Sequence, residues 1–182
     1  MRLRIISGIL KGRFISIPED NKQFRPTLER TRESVSEILK PFISNARVAD
    51  ICAGSGAFGF EMLSRGADWV DFVEKDRRRA KLLIENAQKL NIADSCCVFT
   101  QDIRSFVNNS RGGYDIVYYD PPYADTELKT VIPQLKQLLS EDGILVYEKA
   151  RESSGSADLH EPYATRVFGD TVVHFYHRET NP

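Results

Sequence analysis

The stretch of this chain whose residue types are most specific to a chemistry is Asp120-Pro121-Pro122-Tyr123. Two successive prolines fix φ and hold the peptide carbonyls in a rigid outward arc. The Asp120 carboxylate and the Pro121 carbonyl are then acceptors with little freedom, and Tyr123 sets an aromatic ring beside them. That set suits a planar substrate bearing an NH2 group. The two acceptors take the amine hydrogens, and Tyr123 stacks on the ring. The exocyclic amine of a base is a poor nucleophile, because its lone pair is delocalised into the ring. Holding both hydrogens favours a more tetrahedral nitrogen and aims the lone pair at an electrophilic methyl group. Such alignment lowers a barrier by on the order of 7–11 kcal/mol in well-oriented systems. Asp120 stabilises the positive charge that develops on nitrogen. The plain alternative is a Pro-Pro turn that ends a strand.

A second constellation is the glycine loop Asp50-Ile-Cys-Ala-Gly54-Ser-Gly56-Ala-Phe-Gly59. Gly54 and Gly56 let the backbone turn tightly and approach a ligand, with Ala53 at the entry of the same loop. Gly59 lets the following helix pack close to its strand. This spacing alone is compatible with a dinucleotide, or with a ligand-free strand-to-helix turn. Glu74 follows at the end of the next strand, where a carboxylate can accept from two ribose hydroxyls. That serves NAD and S-adenosylmethionine equally, since both carry adenosine. Asp50 begins to separate them. A carboxylate under the glycine loop suits the methionine ammonium and repels a pyrophosphate; a loop-bracing hydrogen bond is its other reading. Asp102 can accept from an adenine amino group, or it can cap a helix.

These residues need a scaffold that brings the ends of several strands together. From Arg47 onward strand and helix alternate. Strands are expected at 48–51, 69–73, 96–99, 114–119 and 143–147. Helices are expected at 57–64, 77–90, 103–108 and 128–139. In the second of these Ala80, Leu83, Ile84, Ala87 and Leu90 are read as inward. Pro133 either kinks the last helix or marks a later start. Two final strands, about 164–168 and 171–176, join through Gly169-Asp170 as a hairpin. The pattern predicts an α/β, doubly wound, mostly parallel sheet with right-handed crossovers and a C-terminal antiparallel hairpin. Ligands bind such sheets beyond the carboxyl ends of the strands. Ahead of this lies a different segment. Residues 2–7 and 13–17 read as an N-terminal β-hairpin around Gly8 and Gly12. Pro26-Thr27 then opens a helix, with Val35, Ile38, Leu39 and Phe42 on one face, ending near Pro41. Residues 1–46 are thus an extension and 47–182 the main domain.

Charge divides the chain in the same place. Residues 1–47 hold ten Lys and Arg against five Asp and Glu, whereas the remainder is net −6. A basic front on a mildly acidic body suits a polyanionic partner. No apolar run approaches a membrane span, and the start lacks a signal-peptide pattern. Three cysteines, two of them adjacent, exclude a disulfide framework, so a reducing, cytoplasmic setting is expected. No Cys/His cluster has zinc spacing, so no metal is expected.

Taken together, Gly54-Ser-Gly56 and Asp120 to Tyr123 resemble the class I S-adenosylmethionine-dependent amino-methyltransferases, which have a Rossmann-like fold. The chain is most similar to one branch, the 16S ribosomal RNA guanine-N2 methyltransferases of the RsmD type. Arg4-Ile-Ile-Ser-Gly8, Lys11-Gly-Arg13, Arg25-Pro-Thr27, Arg30-Thr-Arg32-Glu33, Asp50 to Gly66, Phe72-Val-Glu74 and Asp115 to Tyr123 carry that resemblance. Cys52 stands where the loop usually has an aromatic, and Tyr123 where this branch usually has Phe. The resemblance implies S-adenosylmethionine as methyl donor, with S-adenosylhomocysteine as product. It implies a partner that is ribosomal RNA or an assembling small ribosomal subunit, and a monomeric enzyme. Asp120, Pro121 and Tyr123 would be catalytic. Asp50, Ala53, Gly54, Gly56, Glu74 and Asp102 would hold the cofactor. Arg2, Arg4, Lys11, Arg13, Arg25, Arg30 and Arg32 would contact RNA phosphates, and Thr27 would close over the methionine end of the cofactor. Other readings are an adenine-N6 or protein-amide methyltransferase, an NAD(P)-dependent oxidoreductase, and a non-catalytic RNA-binding assembly module.

Overall fold

A computed structural model describes residues 1–18, 26–121, 131–151 and 161–178, with the backbone alone for 26–28. Its centre is a seven-stranded sheet. The strands are β3 (Arg47–Ile51), β4 (Trp69–Val73), β5 (Cys96–Phe99), β6 (Tyr114–Tyr119), β7 (Leu139–Ala150), β8 (Ala164–Phe168) and β9 (Thr171–His177). Their order is β5-β4-β3-β6-β7-β9-β8. The first five run parallel, and β9 alone reverses direction against both β7 and β8. The chain leaves β3 toward β4 and β5 on one side and returns to β6 and β7 on the other. The gap between the ends of β3 and β6 is therefore the topological switch point, where such sheets bind ligands.

Apolar runs such as Ile116–Tyr119 and Ile144–Tyr147 are buried on both faces, as parallel strands covered by helices require. One face carries Val48, Phe72, Tyr118 and Val146 against α3 (Ala57–Ser64) and α4 (Arg77–Leu90); the other carries Ile51, Val117, Tyr119 and Tyr147 against α5 (Ile103–Asn109) and α6 (Ile132–Gln137). α6 begins at Ile132 with Pro133 in its first turn, where a missing N–H costs nothing. Pro133 therefore starts that helix rather than kinking it. Strand β7 is longer than the apolar run alone implies, because pairing with β9 carries it to Ala150. In α4 the inward positions are Ala80, Leu83, Asn86, Ala87 and Leu90; Ile84 is 44% exposed. Asn86 earns its buried place by bonding the backbone of Ser16 twice, through Oδ1 and Nδ2.

The front segment is docked on this body. β1 (Arg2–Arg4) and β2 (Phe14–Ser16) pair antiparallel, shorter than the two apolar runs suggest. The intervening loop is occupied otherwise. Glu61 of α3 accepts the N–H groups of Ile6 and Ser7 at 2.8 and 3.0 Å, and Ser64 accepts those of Ile9 and Leu10. Gly8 has φ +80°, and a Cβ there would lie 1.7 Å from the Ser64 carbonyl oxygen. Leu3, Ile5, Leu10, Ile15 and Ile17 join one core cluster with α3 and α4. The helix after the hairpin is α1 (Pro26–Ile38), followed by the short α2 (Lys40–Ile43) with Pro41 in its first turn. Val35 and Leu39 are buried, and Ile38 and Phe42 pack at the margin of the same cluster.

Candidate active site at the switch point

The glycine loop leaves β3 and turns into α3. Cys52, Gly54 and Gly56 all have positive φ, at 62°, 54° and 72°. The two glycines do different work. A Cβ on Gly54 would meet nothing nearer than 3.8 Å, so the space over Gly54 is open to a ligand. A Cβ on Gly56 would meet Leu83 at 2.4 Å and Phe60 at 2.8 Å, and one on Gly59 would meet Phe72 at 2.3 Å. Gly56 thus closes the packing of loop on helix, and Gly59 brings α3 against β4. Cys52 takes the left-handed conformation without being glycine, a strained choice for a residue with a Cβ. Burial pushes its thiol up to about 12, so it stays a thiol at neutral pH.

Three carboxyl groups surround this loop. Asp50 is 2% exposed on β3 and accepts the N–H of Gly59 at 2.9 Å. Burial, and then the charge of Glu74, push it up to about 8, against the pull of the Gly59 hydrogen bond. Among the described residues no cationic side chain forms an ion pair with it. Glu74 follows β4 and accepts from Gly54 N and Asp76 N, each at 2.8 Å. Two of its four lone-pair positions are then spent and two remain. Asp102 precedes α5 and caps it, accepting from Ser105 N at 2.9 Å and Ser105 Oγ at 2.8 Å. Those bonds hold Asp102 below the usual carboxylate range. The helix-cap reading of Asp102 is therefore realised. The set fits an adenosylated amino acid. An open glycine floor, a buried carboxyl group that braces the loop through Gly59 and a carboxylate that holds Gly54 lie on adjacent strand ends.

Across the switch point β6 ends in Asp120 and Pro121. Asp120 N approaches the Ile51 carbonyl at 3.5 Å, which ties the end of β6 to the end of β3. Burial, then Glu148 and Asp50, push the Asp120 carboxyl well above the usual range. Beneath it Tyr118 stacks on Phe58, with ring centroids 3.8 Å apart, and donates its hydroxyl to Glu148 Oε2. Pro122 and Tyr123 lie outside the described residues, as does Arg25; of Thr27 only the backbone is described.

The basic residues of the front are not all exposed. Arg2 and Arg4 are exposed on the outer face of the hairpin, opposite Ser16 and Phe14 in register. Lys11, Arg13 and Arg30 are also exposed, and Arg13 donates to the Lys89 carbonyl at 3.1 Å. Arg32 departs from this set. It is 7% exposed, on the inner face of α1 with Thr31, Val35 and Ser36. Its Nη2 donates to the Arg4 carbonyl, and its Nε has no partner among the described residues. The helical period turns it inward, so it straps α1 to β1 rather than facing solvent. Glu148, Tyr118 and Glu61 are residues the motifs did not single out. Glu148 lies inside β7, after the apolar run Ile144–Tyr147, and only its register with the end of β6 marks it.

A family model described as conserved hypothetical protein 95 matches residues 3–177. The ribosomal RNA small subunit methyltransferase D of Escherichia coli K12 is 32% identical over 98% of this chain and 91% of its own length. The solved structure of yhhF from Escherichia coli covers all of both chains, with 31% identity and a TM-score of 0.86. SMU.776, solved with S-adenosylhomocysteine, has 14% identity and a TM-score of 0.63 over 77% of this chain and 48% of its own, a likeness of fold. Among the described residues no helix is long and apolar enough to cross a membrane, and no group of three metal-ligating side chains occurs.

Proposed function

This chain belongs to the conserved hypothetical protein 95 family, and on that footing we propose that it is an S-adenosylmethionine-dependent ribosomal RNA methyltransferase that modifies the 2-amino group of a guanine in the small-subunit RNA. The observation that carries the reading is the meeting of two half-sites at one switch point. The glycine loop with Asp50 and Glu74 lies on one side, and Asp120-Pro121 on the other. The small-subunit assignment comes from the relative of that name, which spans the same chain. Guanine comes from the resemblance of the front end, Arg4 to Glu33.

S-adenosylmethionine, when bound, supplies a methyl group on a sulfonium. Everything else is supplied by side chains. Asp50 meets the ammonium, Glu74 accepts the ribose hydroxyls, and Gly54 leaves room for the backbone to approach. Ala53 lines the same loop, and Asp102 with the start of α5 borders the adenine. Asp120 and the Pro121 carbonyl take the two hydrogens of the target amine, and Tyr123 stacks on the base. Arg2, Arg4, Lys11, Arg13, Arg25 and Arg30 contact phosphates without reading bases, while residues 1–46 present the RNA to residues 47–182. The base must leave its stack to reach Asp120, at a cost of a few kcal/mol. Methylation of this kind takes place where ribosomes are assembled, in the cytoplasm.

The test is product analysis. Protein, radiolabelled S-adenosylmethionine and unmodified small-subunit RNA or particles are incubated, and the RNA is digested to nucleosides. Labelled N2-methylguanosine supports the reading. Labelled N6-methyladenosine would replace guanine by adenine, and no label in either RNA or particles would overturn an RNA substrate.

A further inference from the structure

Glu148 has no task in the account above, yet its placement is specific. It closes the apolar run Ile144–Tyr147 on β7 and is 4% exposed. The register between β6 and β7 pairs Tyr118 with Val146 and Tyr119 with Tyr147. One step further sets Asp120 level with Glu148 on neighbouring strands, which lie about 4.8 Å apart. Side chains alternate along a strand, so Asp50, Tyr118, Asp120 and Glu148 share one face of three adjacent strands, β3, β6 and β7. Tyr118, on that same face, gives its hydroxyl to Glu148. Its ring is fixed by the stack on Phe58.

We propose that Asp120 and Glu148 form one carboxyl pair that shares a proton in the free protein and takes up the proton leaving the target nitrogen, with Glu148 a positioning residue acting through Asp120. The inference rests on the amino-methyl transfer reading. The bookkeeping of the step is simple. The nitrogen lone pair forms the new N–C bond, the sulfur keeps the electron pair of the bond that breaks, and one N–H proton leaves. A methylated, positively charged amine on a base is a strong acid, so a pair bearing one negative charge accepts its proton and later returns it to water. A buried carboxylate and a half-buried one, one strand spacing apart, do not both ionise readily. Burial pushes both groups up, and the charge of Glu148 pushes Asp120 further, while the Tyr118 hydroxyl pulls Glu148 back. Among the described residues, the other ionisable groups that act on this cluster are Asp50 from β3, Cys52 just after β3 and Arg32 from α1. None of them is altered by the substitutions below.

The test begins in the free protein, by carbon NMR titration of labelled Asp and Glu carboxyls. In the parent, the Asp120 carboxyl is expected to titrate in two steps. In Glu148→Gln the upper step vanishes, and the single remaining step lies at least one pH unit below it. In Tyr118→Phe the upper step rises, because the pair's negative charge loses a hydrogen-bond donor. The single-turnover methyl-transfer rate of Glu148→Gln falls by at least about tenfold, with cofactor affinity kept and part of the rate restored in Glu148→Asp. An Asp120 titration unchanged by Glu148→Gln would overturn the pair. If Glu148→Gln does not fold, a Tyr118→Phe titration identical to the parent's would do the same. A pair seen by NMR beside a full transfer rate in Glu148→Gln would overturn its role. Because the titration needs no substrate, failure of the pair and failure of the methyltransferase reading give different results.

Discussion

The two halves of the switch point hold their acids in opposite ways. At the ends of β3, β4 and β5 each carboxyl group meets a backbone N–H: Asp50 that of Gly59, Glu74 those of Gly54 and Asp76, Asp102 that of Ser105. At the ends of β6 and β7, Asp120 and Glu148 face each other, with the Tyr118 hydroxyl as donor. Backbone donors fix an acid in place and pull toward its charged form; the pull wins at Asp102 and loses to burial at Asp50. Juxtaposed carboxyls make the charge costly and the proton mobile, which suits chemistry. In the proposed function, one sheet thus carries a binding half and a reacting half made from the same kind of residue.

The largest expected effect breaks the reacting half alone. Asp120→Ala should lower single-turnover methyl transfer on the order of 10²–10³-fold, measured with ribosomal RNA and labelled donor. Retention of the rate would mean that binding and positioning suffice without this carboxylate.

The next effect concerns what carries both halves. Gly8→Ala forces a left-handed φ on a residue with a Cβ and drives that Cβ into Ser64. It should cost about 3 kcal/mol or more, read from the midpoint of denaturant unfolding. A loss below about 1 kcal/mol would mean that the hairpin is loosely held.

The length of this hairpin is one thing the sequence did not disclose. The alternation at 2–7 and 13–17 announces two strands, and both exist. That residues 6–10 turn away to bond Glu61 and Ser64 depends on acceptors more than fifty residues away. The sheet was legible because its parallel strands are short apolar runs alternating with helical stretches; the order of the strands came from the structure. Arg32 and Ile84 were misjudged for a shared reason. Residue type argued for an exposed arginine and a buried isoleucine, whereas helical phase and the tertiary partner decided otherwise. Asn86 took a buried turn of α4 because Ser16 offered two backbone bonds. In the site, Asp50, Gly54 and Glu74 were visible through their spacing. Glu148 was not, since no local motif marks an acid whose partner sits on the neighbouring strand.

A subtler sharpening uses pH. The folded Asp50 lies near 8, above an unfolded aspartate near 4. Between those values the folded chain binds more protons than the unfolded one. The stability contributed by this group is therefore full below about pH 4 and lost as pH rises through about 8. Without cofactor, Asp50→Asn should be more stable than the parent at pH 9, with the gap closing toward pH 4, as followed by thermal unfolding. Equal stability at both ends would mean that burial does not raise the Asp50 carboxyl above its ordinary range.

The smallest effect lies on the outer face of the hairpin. Arg4→Glu and Arg13→Glu should each weaken RNA binding and flatten the slope of log affinity against log salt by about one, with cofactor affinity unchanged. No change in slope would move the RNA path away from the hairpin.

The division of labour itself is tested most directly by calorimetric titration of S-adenosylmethionine into the parent, Asp120→Ala and Glu74→Ala. The account predicts that Asp120→Ala binds the cofactor as the parent does, and that Glu74→Ala loses most of the affinity. Lost binding in Asp120→Ala with retained binding in Glu74→Ala would contradict it.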